Sequence, residues 1–245
     1  LFVAQDRAET LFQLQSEGQY VLATQAKSFA EADSATNKFA GSTVLDVANR
    51  MASEYNAFAL PELTLIDEHV QLGRTVYFQD NQLIGYFNRE QSRGYLAAVY
   101  TIRNGVMVLD IPDIGTISLK LENTSSKITA DIVDDVPHFQ IEVSCKAYIS
   151  EINQDLRKKL SLDVYEKFET ALNEKLKLQI ESAVEQAVIR DSTDIFNFDV
   201  ALQQQQTEYW KVHRDSWAQE LAKIKYTVNV TSSVDRVQQE ASPAF

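Results

Sequence analysis

A single cysteine, Cys145, leaves no partner for an internal disulfide, and no CxxC or Cys/His cluster is present to hold zinc. Basic residues are in deficit: 23 Lys+Arg stand against 35 Asp+Glu, a formal charge of −12. That balance lacks the clustered positive footprint needed for nucleic-acid phosphates or direct adhesion to anionic lipid headgroups. Long apolar runs are missing too. Stretches such as 106–109 fall far short of the ~18–20 residues of a transmembrane helix. There is no initiator Met and no basic leader. The chain opens on Leu1-Phe2-Val3-Ala4, which reads as a buried strand, and it is expected to be the later part of a longer polypeptide.

What is present is globular. Of the 245 residues, 44% are hydrophobic and 10% aromatic, which rules out wholesale disorder and allows one large or two smaller domains. Glycine is unevenly placed. Five of the seven (Gly73, Gly85, Gly94, Gly105, Gly115) fall in the middle and none follows Gly115.

In the first third, residues 1–4 read as a strand end, followed by a short helix over 7–15 that Gly18 terminates. Residues 19–40 are polar and alanine-rich, either helix or loop. Ser42 reads as the N-cap of a helix over 43–54, with Val44, Val47, Ala48 and Met51 at helical spacing. A hairpin is expected next, with 75–78 and 83–87 flanking Asp80-Asn81. Asn88, with Gln91 three residues on, predicts a capped helix through about Val99.

Residues 106–111 are mostly apolar, as expected of a central strand buried on both faces. Ile117, Leu119 and Leu121 alternate with polar residues. A turn is expected at 123–126, after which Ile128, Ala130 and Ile132 alternate. Past Asp134-Asp135-Val136-Pro137, the residues Phe139, Ile141, Val143, Cys145, Ala147 and Ile149 face one way, so an antiparallel meander has one buried face. From Ser161 a helix is predicted to about Arg190, with a stripe of Val164, Phe168, Leu172, Leu176, Ile180, Val184 and Val188. A second helical stretch after Asp194-Ile195-Phe196 carries Trp210 and Trp217 on one face. Tyr226, Val228 and Val230 mark a last strand before a polar tail from Gln238.

The fold class is therefore α+β: an antiparallel β-meander with long helices packed on one face, plus smaller α/β lobes towards the N-terminus. The expected division is 1–67, the remainder of an N-terminal α/β domain; 68–104, a small middle lobe of hairpin and short helix; 105–237, a C-terminal α+β domain; and 238–245, a tail.

Chemistry is sparse. No GxSxG exists, and Ser42 is better explained as a cap than as a nucleophile. His69, His138 and His213 lie far apart and lack HExxH spacing, and His213, between Tyr209 and Trp217, suits an aromatic face. Asp131, Asp134 and Asp135 suit a solvated turn. Asp191, Asp194 and Asp199 suit helix capping. The run 203–206, all Gln, reads as exposed helix surface, and Cys145 as an inert core thiol. No residue is singled out as catalytic, cofactor-binding or metal-ligating.

Three stretches nevertheless carry a likeness. The first is 73–87, with Phe78-Gln79-Asp80-Asn81-Gln82-Leu83-Ile84-Gly85, followed by Glu90-Gln91-Ser92-Arg93-Gly94-Tyr95. The second is Ile117-Ser118-Leu119 with Phe139-Gln140-Ile141-Glu142-Val143. The third is Asp194-Ile195-Phe196-Asn197-Phe198 with Trp210 and Trp217. In order and spacing they resemble the C-subunit lipoproteins of bacterial spore germinant receptors, over roughly 40–237. Gln91 stands where that family commonly has an acidic residue.

The resemblance implies a non-enzymatic subunit without cofactors, acting in spore germination with two integral membrane subunits. It implies a position on the outer surface of the spore inner membrane, held by a lipid anchor upstream of this chain. Glu90, Ser92, Arg93, Gly94 and Tyr95 are the candidate interaction or domain-junction residues, with helix packing as the alternative role. Arg93 is expected to form an ion pair across the junction. A small-ligand-binding extracytoplasmic module is the alternative function.

Overall fold

Asp80 and Asn81 both take positive φ, 49° and 64°, the backbone of a two-residue turn whose twist matches its flanking strands. The turn joins β3 (His69–Gln79) to β4 (Gln82–Phe87), as the sequence predicts. The computed structural model describes residues 1–5, 7, 9, 43–52, 55–66, 69–102, 105–152 and 160–235. The expected helix over 7–15 lies almost wholly outside these residues, as do 19–40, Ser42 and the tail from Gln238.

The first sheet has the order β1-β2-β3-β4, with β1 (Val3–Ala4) parallel to β2 (Ala57–Ile66) and the rest antiparallel. The expected boundary at 67/68 falls inside this sheet, between two paired strands. Alternation along β2 and β3 gives the sheet two apolar faces. Leu60 and Val76 pack with Val47 of α1 (Val44–Met51), whereas Ala57, Ala59, Tyr77 and Phe87 join the main core.

Thr43, one residue after the expected Ser42, caps α1. Its hydroxyl accepts the Asp46 N–H at 3.1 Å and the Asp46 carboxylate accepts the Thr43 N–H at 2.8 Å. Of the apolar stripe read along this helix, Val47 alone is buried.

The second sheet has the order β5-β6-β7-β8, from β5 (Gly105–Ile111), β6 (Gly115–Val133), β7 (Val136–Glu151) and β8 (Lys225–Asp235). Two expectations change here. Among the described residues the strand at 106–111 is an edge strand, not a central one: Met107 and Leu109 are buried, but Val106 is 52% and Val108 47% exposed. Its apolar run hides an ordinary alternation. No turn forms at 123–126, because β6 runs through it and a bulge between Leu121 and Asn123 absorbs the irregularity. Thr124 stays buried there, and its hydroxyl accepts the Ile102 N–H. Finally, β8 pairs with β7 in parallel, because the chain crosses over through the helical layer before returning.

That layer begins with α3 (Leu162–Val184), which buries Phe168, Leu172, Leu176, Ile180 and Val184 over the sheet, as the stripe predicts. Its last turn widens into a π-helix (Glu185–Arg190). Next come α4 (Phe198–Gln205), α5 (Thr207–His213) and α6 (Trp217–Glu220), separated by short irregular turns. Trp210 and Trp217 meet edge to face at 5.7 Å.

The glutamines of 203–206 are not merely solvated surface. Past Leu121, β6 has no β5 neighbour, and Gln205 and Gln206 fill the gap. The Gln205 amide accepts the Ala130 N–H at 3.0 Å and donates to the Ile128 carbonyl at 3.1 Å, while Gln206 donates to the Ala130 carbonyl at 3.1 Å. Backbone groups that would otherwise need water or another strand are satisfied from side chains.

Candidate functional site

Residues from the first and third motif stretches meet at the joint between the two sheets. On one side is α2 (Arg89–Val99), which starts where the sequence predicts. Asn88 accepts the Gln91 N–H at 2.9 Å, and the Gln91 carbonyl oxygen accepts the Asn88 N–H at 3.1 Å. The other end of the Gln91 amide donates to the Ser182 hydroxyl on α3 at 3.3 Å. Glutamine thus caps one helix and grips another, which a carboxylate could not do.

The five candidate residues lie on or beside this crossing. Glu90 accepts a hydrogen bond from the Gln179 amide of α3. Gly94 faces the α3 backbone so closely that an added Cβ would lie 2.1 Å from the Gln179 oxygen and 2.6 Å from the Ile180 nitrogen. Two helices can approach this far only where one lacks a side chain. Ser92 is buried, with its hydroxyl unpaired among the described residues. Tyr95 sits in an aromatic cluster, 5.7 Å from Phe87, 5.9 Å from Tyr100 and 5.4 Å from Phe196.

Arg93 departs from expectation. Among the described residues no ion pair joins it to another element. Burial lowers its pKa, and its nearest compensating charge is Glu90 of its own helix. The arginine that does cross between the sheets is Arg50 of α1, 3.8 Å from the Asp199 carboxylate of α4.

A second set of contacts comes from the segment following the π-helix. Tyr77 of β3 donates its hydroxyl to Asp191, whose same oxygen accepts the Gln186 amide at 3.1 Å. Tyr55 donates to the Ser192 carbonyl at 2.8 Å, and Thr193 to the Gln79 side chain at 3.1 Å. Gly85 makes room for the first of these, since a Cβ there would lie 2.4 Å from the Tyr77 oxygen. Burial, then the Asp191 carboxylate, raises the Tyr77 pKa and keeps the phenol a donor.

Beneath the clasp, Phe196 and Phe198 stack into the core, Phe198 at 4.2 Å from Phe139 of β7. Asp194 is fully buried. It accepts the backbone N–H groups of Phe198 at 3.1 Å and Asp199 at 2.7 Å, as its capping role predicts, and also the Trp217 indole at 3.1 Å. Of the other two aspartates of that cluster, Asp191 holds Tyr77 instead, while Asp199 faces Arg50 and also takes the Val200 N–H in the first turn of α4.

The sequence reading missed Arg50, Tyr55, Tyr77 and Gln179. For Gln179 a signal existed, a polar residue beside Leu176 and Ile180 on an otherwise apolar stripe. For the others, only folding brings the partners together.

Outside the joint, His69 opens β3, His138 lies on β7 and His213 ends α5, stacked on Tyr209 at 3.9 Å. Cys145 is buried, and its thiol is pushed up to about 12 by burial. Among the described residues no group of three His, Cys, Asp or Glu side chains is placed to hold a metal. No helix among them is long and apolar enough to cross a membrane. A cleft of about 490 Å³ opens between the end of the first sheet and the helical layer, bordered by Asn56, Gln79, Asp80, Arg214 and Trp217.

This is an α+β protein of two four-stranded sheets, joined through a helix crossing and a buried aspartate-centred clasp. It belongs to the spore germination B3/GerAC-like C-terminal family, whose model matches residues 73–238. The match spans every motif residue at the joint from β3 onward. The structure is similar to a solved one titled "Crystal Structure of the GerBC protein", with a TM-score of 0.72 and 14% identity over 95% of this chain and 67% of that one. Comparison with curated proteins gives no match. The chain is accordingly a spore germination protein of the germinant receptor C-subunit type.

Proposed function

We propose that this chain works without catalysis, as a subunit that passes on germinant signals through contacts with the integral membrane subunits of its receptor. It sits on the outer surface of the spore inner membrane, held by a lipid anchor on residues upstream of this chain. One observation supports the reading best. Several motif residues within the family match hold the two sheets together, among them Gly94 against Gln179 and Tyr77 on Asp191. A shape held this firmly suits a subunit that acts by presenting surfaces. The acidic charge of −12 fits as well, because it keeps the body off anionic lipid while an anchor holds it near. Spores lacking the coding gene should respond poorly to nutrients and recover with the wild-type copy. Normal nutrient germination of those spores would contradict the proposal.

The cleft between the first sheet and the helical layer favours a second reading, a small-ligand module. It pairs polar groups of the first sheet with Arg214 and Trp217 of the helical layer. Calorimetry with amino acids and sugars separates the two readings, since the scaffold predicts no heat of binding.

A further inference from the structure

Two aspartates share one buried space at the joint. Asp194 is fully buried with both oxygens occupied, Oδ1 by the Phe198 N–H and Oδ2 by the Asp199 N–H and the Trp217 indole. Asp199 is 5% exposed, and among the described residues its Oδ1 accepts no hydrogen bond. Arg50 of α1 reaches that same oxygen only at 3.8 Å. When both carboxyls are ionised, two buried negative charges share the field of the Arg50 guanidinium and repel each other at the start of α4.

We propose that Arg50, Asp194 and Asp199 form a proton-controlled latch between α1 and α4, closed while one carboxyl is protonated and loosened when both are ionised.

The surroundings fit this role. The groups facing the pair are Arg50 from α1, Tyr55 from the segment before β2, Tyr95 from α2 and Trp217 from α6, with Asp80 further off beyond Tyr55. Arg50 is the cation among them, and both tyrosines are held neutral, their pKa values raised first by burial. A cavity of about 260 Å³ is bordered by Arg50, Tyr95 and Asn197, so the arginine side of the latch faces open space. Burial first, then the Asp194 charge, raises the Asp199 pKa to about 7, and Arg50 opposes them. Burial also raises Asp194.

The direction follows from linkage. The closed joint keeps a proton on Asp199 up to about pH 7, whereas a hydrated Asp199 releases it near its ordinary value of 3.8. Opening therefore releases a proton. Stability of the joint is full below that ordinary value, declines as pH rises, and levels off above about 7.

Hydrogen exchange of the α1 amides in the whole chain, corrected for intrinsic rates, tests the latch. The opening constant should rise about tenfold per pH unit between the ordinary carboxyl value and about pH 7, and be flat on either side. Asp199→Asn should abolish that dependence. Arg50→Gln should move the transition to higher pH, while Arg50→Lys should leave it near the wild-type position. An opening constant that ignores pH in the wild type, or keeps its dependence in Asp199→Asn, overturns the proposal. Should Asp199→Asn not fold, NMR titration of the wild-type Asp199 carboxyl decides, and a midpoint in the ordinary carboxylate range overturns it.

Discussion

Gly94 and Gln179 touch backbone to backbone: a Cβ on the glycine would lie 2.1 Å from the Gln179 oxygen. Replacing Gly94 by Ala sets two effects against each other. Helix propensity improves by about 1 kcal/mol, but overpacking a fixed crossing costs about 1–3 kcal/mol. Backbone cannot step aside as a flexible side chain can, so sterics should win. Urea unfolding should show a lower midpoint for Gly94→Ala, and an unchanged or higher midpoint would refute this account of the crossing.

Gln91 ties α2 to α3. Its amide caps α2 with one end and holds Ser182 with the other. Gln91→Glu should keep the cap and lose the donor, at a cost of about 1 kcal/mol. An equal loss in Gln91→Ala would show that only the donor matters, whereas a larger loss in Gln91→Ala separates the two roles.

Elements written in local patterns were legible before folding. The Asp80-Asn81 hairpin, the Asn88 cap, the inward face of β7 and the stripe of α3 all follow from short-range spacing. Errors arose where the tertiary setting decides. The apolar 106–111 run gives no hint that β5 has a neighbour on one side only, and 123–126 has turn composition that a paired strand overrides. The joint was half legible: Gly94 and Glu90 stood out, but the crossing arginine proved to be Arg50, because which charge meets Asp199 depends on how α1 docks.

Tyr77, Gly85 and Asp191 form a coupled set. Tyr77→Phe should cost about 1 kcal/mol, with Asp191 still held by Gln186 at 3.1 Å. Gly85→Ala should cost more in the wild type, where its Cβ would lie 2.4 Å from the Tyr77 oxygen, than in the Tyr77→Phe background. Relief is partial, because the Tyr77 ring carbon at 2.6 Å remains. A double-mutant cycle by chemical denaturation should give a coupling of about 0.5 kcal/mol or more. Strict additivity would show that the close approach is not what Gly85 provides.

Cys145 offers a probe of the second sheet. Its thiol is buried on the inner face of β7 and pushed up to about 12, so little thiolate exists near neutral pH. A thiol-reactive dye should label it only as the chain unfolds, in step with loss of tryptophan signal. Fast labelling of the native chain would contradict the packing of β7 against α3.

The most direct measurement is affinity capture of the full-length protein from solubilised spore inner membranes, comparing wild type with Gly94→Ala. The account predicts that the wild type brings down the receptor's integral membrane subunits and that the variant, with its two sheets no longer held in register, brings down less. Recovery of the wild-type protein without those subunits, from spores that germinate normally, would contradict it.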